Sequence, residues 1–499
     1  MKFLRYLVYA QEKRRYHPLS LILFCAFTGL MRGLLEFILH DIPLKNTDIV
    51  NFVPFYLSLG LMLREMLAFL TGATRTTVEK SVIIGIFLGL FPPIIDALLP
   101  VKFPVFYGYY FLWDFTNIPW LGYNPAFNFP LGESITIWLS IVFCALYVHL
   151  KSGSFFRTGV ASIAAYGIFI FNSSLLPMLT FRWFVGEVVS VDAARVIDAT
   201  QLQLFTYRLA HVQTMIAAML WMLSRRDLFV HTLRRTLHGM PFLALCLFGA
   251  AIADANGQNV FLALSSLSLV IILSLWQNDH FDFRDDGKTA PPVTQHELSG
   301  FTVLTLITLC FLFFLNQRSA IVLFIALVCS VLYNYPFYRA RNSFPANLKI
   351  EGIWGFCAFA SGVLLNQIAF ERPAVKITAL LVFGGWSSVS VWKDMKDFEN
   401  DRAARVRTLF TVLTDKNVAF PRIVFFTSLF ITILFVIPII LGGIFFGGAA
   451  AALPGIASLP VLAFLWAGHS GTLFRRGLIA LSLYILLFAV LEKTRIWQI

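Results

Sequence analysis

The chain has 499 residues, of which 58% are hydrophobic and only 13% charged, and its formal net charge is +12. A water-soluble domain carries about a quarter charged residues, so a soluble globular chain is excluded, and the mean hydropathy of +0.76 points to a protein whose main solvent is lipid. The positive charge does not indicate nucleic acid, and none is expected as a partner: Lys and Arg collect in short loops between apolar runs, the positive-inside pattern of membrane proteins, rather than on one basic face.

The first stretch, 1–18, sets Lys2, Arg5, Lys13, Arg14 and Arg15 against Leu4, Leu7 and Val8. The long apolar run that follows has no clear small-residue cleavage site, so a short interfacial helix is expected rather than a signal peptide. About fifteen membrane-spanning helices follow by the ~20-residue criterion. Six are expected near 19–39, 52–70, 81–99, 134–150, 158–179 and 203–223. Nine more are expected near 239–255, 259–277, 300–316, 319–335, 351–369, 374–392, 421–443, 453–468 and 474–491. Lipid offers no partners to backbone N–H and C=O groups, so each span must be helical. The expected fold class is therefore all-α, a polytopic membrane protein.

Between the third and fourth spans, 100–133 is rich in aromatics, Pro and Gly, a composition suited to an interfacial loop at headgroup level. The six cysteines, Cys25, Cys144, Cys246, Cys310, Cys329 and Cys357, fall inside apolar runs with no C-x-x-C pair, which reads as small packing residues rather than a zinc or redox site. Basic loops alternate along the chain. Those holding Arg75 and Lys80, Lys151 and Arg157, Arg225 to Arg235, Lys288, Arg339 to Lys349, Lys393 to Arg407, and Arg475 and Arg476 are separated by loops with few cations. That asymmetry places the N-terminus in the cytoplasm and the C-terminus outside, in the cell (inner) membrane. The charged stretch 224–238 is the expected domain boundary. It separates a six-helix membrane domain, 1–230, from a C-terminal domain, 235–499. The first domain holds no carboxylate cluster, metal-spacing motif or phosphate loop, and Asp96 is an isolated acid near a span end.

Two acidic clusters lie at span ends in the second domain. The first runs Gln277-Asn278-Asp279-His280-Phe281-Asp282-Phe283-Arg284-Asp285-Asp286. If the 259–277 helix continues through it, Asn278, Asp282 and Asp286 stack on one face at i, i+4, i+8, with His280 off that face. The second runs from Lys393 to Arg402 and places Asp394, Asp397 and Asp401 at i, i+3, i+7. Like charges one turn apart cost a few tenths of a kcal/mol per pair in water and more at a bilayer border, so the arrangement calls for a cation. Oxygen ligands without His or Cys favour a hard ion such as Mg²⁺. Mg²⁺ takes one or two carboxylates and completes its shell with phosphate oxygens and water. Two facing clusters would then hold a diphosphate, whereas the competing reading is a pair of solvated acidic loops.

Both clusters resemble the signatures of the UbiA superfamily of intramembrane prenyltransferases. N-D-x-x-D-x-x-x-D is met by Asn278, Asp279, Asp282 and Asp286, and D-x-x-D-x-x-x-D by Asp394, Asp397 and Asp401. The run KDMKDFENDRAARVRTL, with Lys393, Arg402 and Arg407-Thr408-Leu409, and the run LYNYPFYRAR, with Tyr333, Pro336, Arg339 and Arg341 followed by Asn347-Leu348, are also similar to the family. The chain departs from it at Gly287-Lys288-Thr289-Ala290-Pro291-Pro292, where members often carry Arg-Pro. Lys288 supplies a point charge there but not a bidentate fork.

The resemblance implies a nine-helix bundle over 235–499 and Mg²⁺ as cofactor. It implies transfer of an isoprenoid chain from its diphosphate to an aromatic or lipid acceptor within the membrane. It casts Asn278, Asp282, Asp286, Asp394, Asp397 and Asp401 as metal ligands. Asp279, Asp282 and Asp397 become the catalytic carboxylates, with Asp279 orienting the acceptor or acting as a base. Lys393, Arg402, Arg339, Arg341 and Lys288 face the diphosphate, and Tyr333 lines the chamber. Two alternatives share these features: a membrane terpene cyclase, which ionises the same diphosphate without an acceptor, and a lipid transporter or lipid-binding protein. A transporter usually carries its intramembrane charges mid-span on discontinuous helices, whereas these clusters lie at span ends.

Overall fold

The computed structural model describes residues 2–13, 17, 19–40, 46–98, 131–184, 199–283, 290–336, 340, 343–366, 368–403, 406–446 and 471–494. Among them there is no sheet, only an isolated parallel bridge between Ser343 and Arg407. Nine of the described helices are long and apolar enough to cross a membrane, ten if Asp227–Thr236 and Met240–Ile252, bent by 56°, count as one span. The expected spans near 203–223, 351–369, 421–443 and 474–491 also fall on helices. The expected span at 453–468, and 100–130 of the aromatic stretch, lie outside the described residues.

The chain divides into two compact units. The first is Met1–Arg226 with Ser299–Phe311, and the second is Asp227–Leu298 with Leu312–Ile499. The break at 226/227 lies within the charged stretch expected to separate the domains. The middle turns of one helix, Gln295–Leu315, belong with the first unit.

In the first unit, α1 (Lys2–Lys13) is the short helix expected before the first span. Its Glu12 carboxylate takes the Lys151 ammonium and the Tyr147 hydroxyl. Both partners belong to α6 (Leu131–Ser152), one of a set with α2 (Ser20–His40) and α3 (Asn46–Thr71). Two spans in this unit are irregular, and a proline lies at each irregularity. Helix α4 (Arg75–Phe87) passes through a 3₁₀ turn, Leu88–Leu90, into α5 (Phe91–Leu98). Pro92 and Pro93 have no N–H, so the carbonyls of Leu88 and Gly89 lose their i+4 donors. Helix α7 (Phe155–Ile170) passes through a π-turn, Phe171–Leu175, into α8 (Leu176–Phe184) just before Pro177. Near the other end of α3, the buried Arg64 guanidinium pairs with Glu79 at 2.9 Å and Glu65 at 2.7 Å. It also lies 5.0 Å from the Trp221 ring of α9 (Ala199–Met222).

The second unit begins with α10 (Arg226–Thr236), α11 (Met240–Ile252) and α12 (Gly257–Phe281). After α13 (Gln295–Leu315) come α14 (Gln317–Asn334), α15 (Phe344–Val363) and α16 (Pro373–Ala403). The last elements are α17 (Leu409–Asp415), α18 (Phe420–Phe446) and α19 (Gly471–Thr494). Helix α15 begins seven residues before the expected start of its span. Pro345, near the N-terminus of α15, presets the first turn, and the polar residues Asn347, Lys349 and Glu351 extend the helix beyond the apolar run that the hydropathy criterion detects. Helix α16 likewise runs 31 residues without a break, past its apolar segment and through the whole second cluster.

Close backbone approach fixes α11 against α15. A Cβ on Gly249 would come within 2.2 Å of the Phe359 carbonyl oxygen, and one on Gly362 within 2.0 Å of the Cys246 carbonyl oxygen. Small residues let helices in lipid associate through van der Waals contact where no hydrophobic drive exists. The side chain of Phe242 on α11 then packs against Trp386 of α16 at 4.4 Å. Of the six cysteines, Cys310 is exposed and the others are buried.

Because the atoms opposite Gly362 are backbone and cannot swing aside, Gly362→Val is expected to cost about 2–3 kcal/mol through overpacking. Gly385→Ala on α16, where an added Cβ meets nothing within 4 Å, is expected to leave stability unchanged or slightly raised. Unfolding midpoints of the two variants in detergent micelles check the contrast.

Candidate active site

The first cluster sits at the end of α12. The helix stops at Phe281, and Asp282 caps it with φ −98° and ψ −2°, its N–H donating to the Asn278 carbonyl. The step from Asn278 to Asp282 is therefore the last turn of the helix. The expected continuation through Asp286 is corrected at this point, because the helix ends five residues earlier. Asp286 and Lys288 lie outside the described residues.

Neighbouring positions on the last turn are held by different partners. The Asp279 carboxylate, 4% exposed, receives Arg235 Nη2 at 2.8 Å on one oxygen. Its other oxygen receives Arg235 Nε at 3.3 Å and lies 2.8 Å from His231 Nε2. Arg235 Nη2 also donates to Asn278 Oδ1 at 3.1 Å. His231 and Arg235 are one turn apart on α10, so one amphipathic helix supplies both. Asn278 turns its amide nitrogen to Asp282 Oδ2 and, at 3.4 Å, to Asn334 Oδ1. His280, off this face as expected, lies with Nδ1 2.8 Å from the Val293 carbonyl oxygen.

The second cluster rides on α16. Asp394 is buried, Asp397 and Asp401 are half-buried, and Arg402 is exposed. Lys393 Nζ donates to the Tyr333 hydroxyl at 3.2 Å and lies 5.5 Å from the centre of that ring. Asn347, near the start of α15, donates to Asp394 Oδ2 at 3.4 Å. Its Oδ1 is buried with no hydrogen-bond partner among the described residues. Beyond the cluster, Thr408 caps α17 through a capping box with Thr411, and the neighbouring Arg407 forms the bridge to Ser343. The loop after α16 is thereby tied to the start of α15. Arg339 and Arg341 lie outside the described residues.

The two clusters meet through α14. Its consecutive residues Tyr333 and Asn334 reach Lys393 of the second cluster and Asn278 of the first. Asn334 is in turn held by the Ser274 carbonyl at 3.3 Å and the Ser330 hydroxyl at 3.4 Å. Sequence reasoning gave four of these participants no role, although Asn347 stands in a run similar to the family. Arg235 and His231 lie in a stretch that reads as a boundary rich in cations. Asn334 and Asn347 are single amides beside apolar runs. Their position at helix ends next to the clusters is a further signal.

The donor set fits a hard divalent cation. Asn278, Asp282, Asp394, Asp397 and Asp401 offer only oxygen and amide ligands, and a buried carboxamide oxygen on Asn347 is left over beside Asp394. Among the described residues no three His, Cys, Asp or Glu side chains converge as a complete cage. A site that completes its shell with phosphate and water does not require one.

Removing Arg235 leaves the buried Asp279 carboxylate with His231 alone from α10. Arg235→Ala is expected to cost about 3 kcal/mol, the penalty of a buried uncompensated charge. Adding Asp279→Asn to that variant is expected to recover a substantial part of the loss. Unfolding free energies of wild type, the two single variants and the double variant in mixed micelles complete the cycle.

A family model described as the UbiA prenyltransferase family matches residues 239–490. A UbiA homolog from Archaeoglobus fulgidus, solved bound to DMAPP and Mg²⁺, is 14% identical, with 53% of this chain and 98% of that chain covered and a TM-score of 0.38. A structure of a UbiA homolog from the same organism bound to GPP and Mg²⁺ is 15% identical over 52% of this chain and 98% of that one, with a TM-score of 0.39. No curated protein matches the chain. Matching over half its length, and with helices suited to crossing a membrane, this integral membrane protein belongs to the UbiA prenyltransferase family.

Proposed function

We propose that the protein transfers an isoprenoid chain from its diphosphate to an aromatic or lipid acceptor within the membrane, with Mg²⁺ as cofactor. The observation that carries this reading is the pairing of two acidic helix ends, α12 and α16, through the adjacent Tyr333 and Asn334. Family membership supplies the reaction class, and the A. fulgidus homologs are described with DMAPP or GPP and Mg²⁺. Residues 235–499 are assigned as the catalytic domain and 1–230 as a separate membrane domain. The alternation of basic loops supports a cytoplasmic position for both clusters, with the C-terminus outside, in the cell membrane.

In this proposal Asn278, Asp282, Asp286, Asp394, Asp397 and Asp401 hold Mg²⁺, with the Asn347 carboxamide oxygen beside them. The metal, when bound, neutralises the charge that develops on the departing diphosphate. Lys393 adds a fixed cation on the same side, and its contact with Tyr333 holds the ammonium in place before substrate arrives. Arg339, Arg341, Arg402 and Lys288 are assigned to the outer diphosphate oxygens. Asp279 is held by Arg235 and His231 on one side of the last turn. That anchorage orients Asn278 and Asp282, and a role for Asp279 toward the acceptor requires its release from Arg235. The apolar faces of the helices above the clusters accommodate the isoprenoid tail away from water, where electrostatic stabilisation of the leaving group is strongest.

Asp282→Ala and Asp397→Ala are each expected to abolish Mg²⁺-dependent release of diphosphate from a prenyl diphosphate. Full activity in both would remove the mechanism. Lys393→Met is expected to raise KM for the prenyl diphosphate by roughly tenfold or more, the scale of one charge-assisted hydrogen bond, with a smaller change for the acceptor. Incubation with prenyl diphosphate alone decides the cyclase alternative: a cyclised hydrocarbon formed without acceptor would exclude transfer as the main reaction.

A further inference from the structure

The first unit contains a cleft that the proposed chemistry does not use. It is narrow and partly open to the outside. It runs between α3 and α6, whose lining positions recur every three or four residues: Phe55, Leu59, Leu63 and Leu67 on α3, and Glu133, Ile137, Ser140 and Cys144 on α6. At 1.5 Å per residue the α3 stripe is ~18 Å long, the length of one extended acyl or isoprenoid chain.

The charged residues lining the cleft are Arg32 and Glu133. Arg32, 2% exposed, donates to the Gly89 carbonyl at 3.0 Å and pairs with Glu36, which is 5% exposed. The Tyr56 hydroxyl donates to the same Gly89 carbonyl at 3.0 Å. That carbonyl is available because Pro93 removed its helical donor, and Tyr56 reaches it because Gly89 has no side chain: a Cβ there would lie 2.4 Å from the hydroxyl. The second helix irregularity, the π-turn at Phe171–Leu175, faces the cleft through Ser173. Helix irregularities such as 3₁₀ and π turns occur frequently at functional sites, and buried charges within a membrane mark functional sites. One more group is aimed inward: Thr136, 6% exposed, lines the cleft, and its Oγ1 has no hydrogen-bond partner among the described residues.

We propose that this cleft binds a single-chain lipid with an uncharged hydroxyl head, its chain along the α3–α6 stripe and its head at Thr136, Tyr56 and Glu133. The charge around Arg32 selects the head. Arg32 is paired with Glu36, Glu133 lines the cleft beside it, and Asp96 accepts from the Gly132 N–H next to Glu133 at 2.7 Å; three carboxylates against one arginine repel a phosphate or diphosphate head. A hydroxyl, which both donates and accepts, matches the carboxylate of Glu133 and the free hydroxyl of Thr136. The site is therefore of opposite electrostatic preference to the carboxylate–Mg²⁺ clusters of the second unit and takes a ligand of a different class.

The test uses the full-length protein in lipid nanodiscs, photolabelled with a diazirine-bearing long-chain alcohol and mapped by mass spectrometry. Labelling is expected at the cleft-lining positions Leu59, Leu63, Leu67, Thr136, Ser140 and Cys144, competed at least tenfold better by unlabelled alcohol than by its phosphate monoester. Thr136→Val is expected to weaken that competition about fivefold, the scale of one neutral hydrogen bond, and Leu63→Trp to abolish labelling by filling the cleft. If Leu63→Trp does not elute as a monodisperse species, the near-isosteric Thr136→Val carries the result. Competition by a prenol identifies an isoprenoid alcohol and competition by a monoacylglycerol a glycerolipid; either supports the site. Equal competition by the phosphate monoester overturns the proposal. So does labelling spread evenly onto the exposed α6 positions Trp138 and Leu139, which would mean annular lipid only.

Discussion

The fork of Arg235 across Asn278 and Asp279 is the contact on which the first half of the site depends. Carboxylates at the end of a helix in a bilayer face repulsion and desolvation together, and the C-terminal end of the helix dipole adds a third unfavourable term. A guanidinium from α10, backed by His231, neutralises one of the three acids or amides in this turn and fixes the rotation of the rest. With Asp279 tied down, the remaining pair, Asn278 and Asp282, is presented as a unit. The second half achieves the same end by different means: an unbroken 31-residue helix carries its acids out of the apolar layer, and Lys393 and Asn347 sit beside the most buried of them.

Much of this was legible in the sequence because lipid enforces simple rules. An apolar run of sufficient length must be a helix, so the expected spans at 259–277 and 374–392 coincide with α12 and α16. The acidic spacing at 394, 397 and 401 could be read directly as one helix face because nothing in that run interrupts a helix. The reading of 278–286 as a continuing helix failed five residues short. Its stop depends on how Asp282 is accommodated in the fold, which periodicity does not contain. The start of α15 was misplaced for a related reason: hydropathy registers where a helix leaves lipid, not where its hydrogen bonding begins.

The partners of the acids were the hardest to see. Arg235 is one of four arginines between 225 and 235, all equally consistent with topology signals. Only the packing of α10 beside α12 distinguishes it. Asn334 and Asn347 are neutral and solitary, so no charge pattern exposes them. In the first unit the sequence signal was present as Pro92-Pro93 and Pro177, but a proline states that a hydrogen bond is lost without saying which group claims the released carbonyl. The fold supplies that answer at Gly89, where Arg32 and Tyr56 converge.

Tyr333 and Asn334 occupy consecutive positions on α14, yet each touches a different acidic helix. Successive helical side chains point about 100° apart, so one helix end acts as a spacer whose width is set by backbone geometry rather than by loop length. The gap between α12 and α16 is thereby gauged from within the bundle. Under the proposed function, the enzyme measures its ligand's head against a rigid calliper and leaves the length of the tail to the apolar faces above it. Insertions in the loops around the site would alter what reaches the calliper, not its opening.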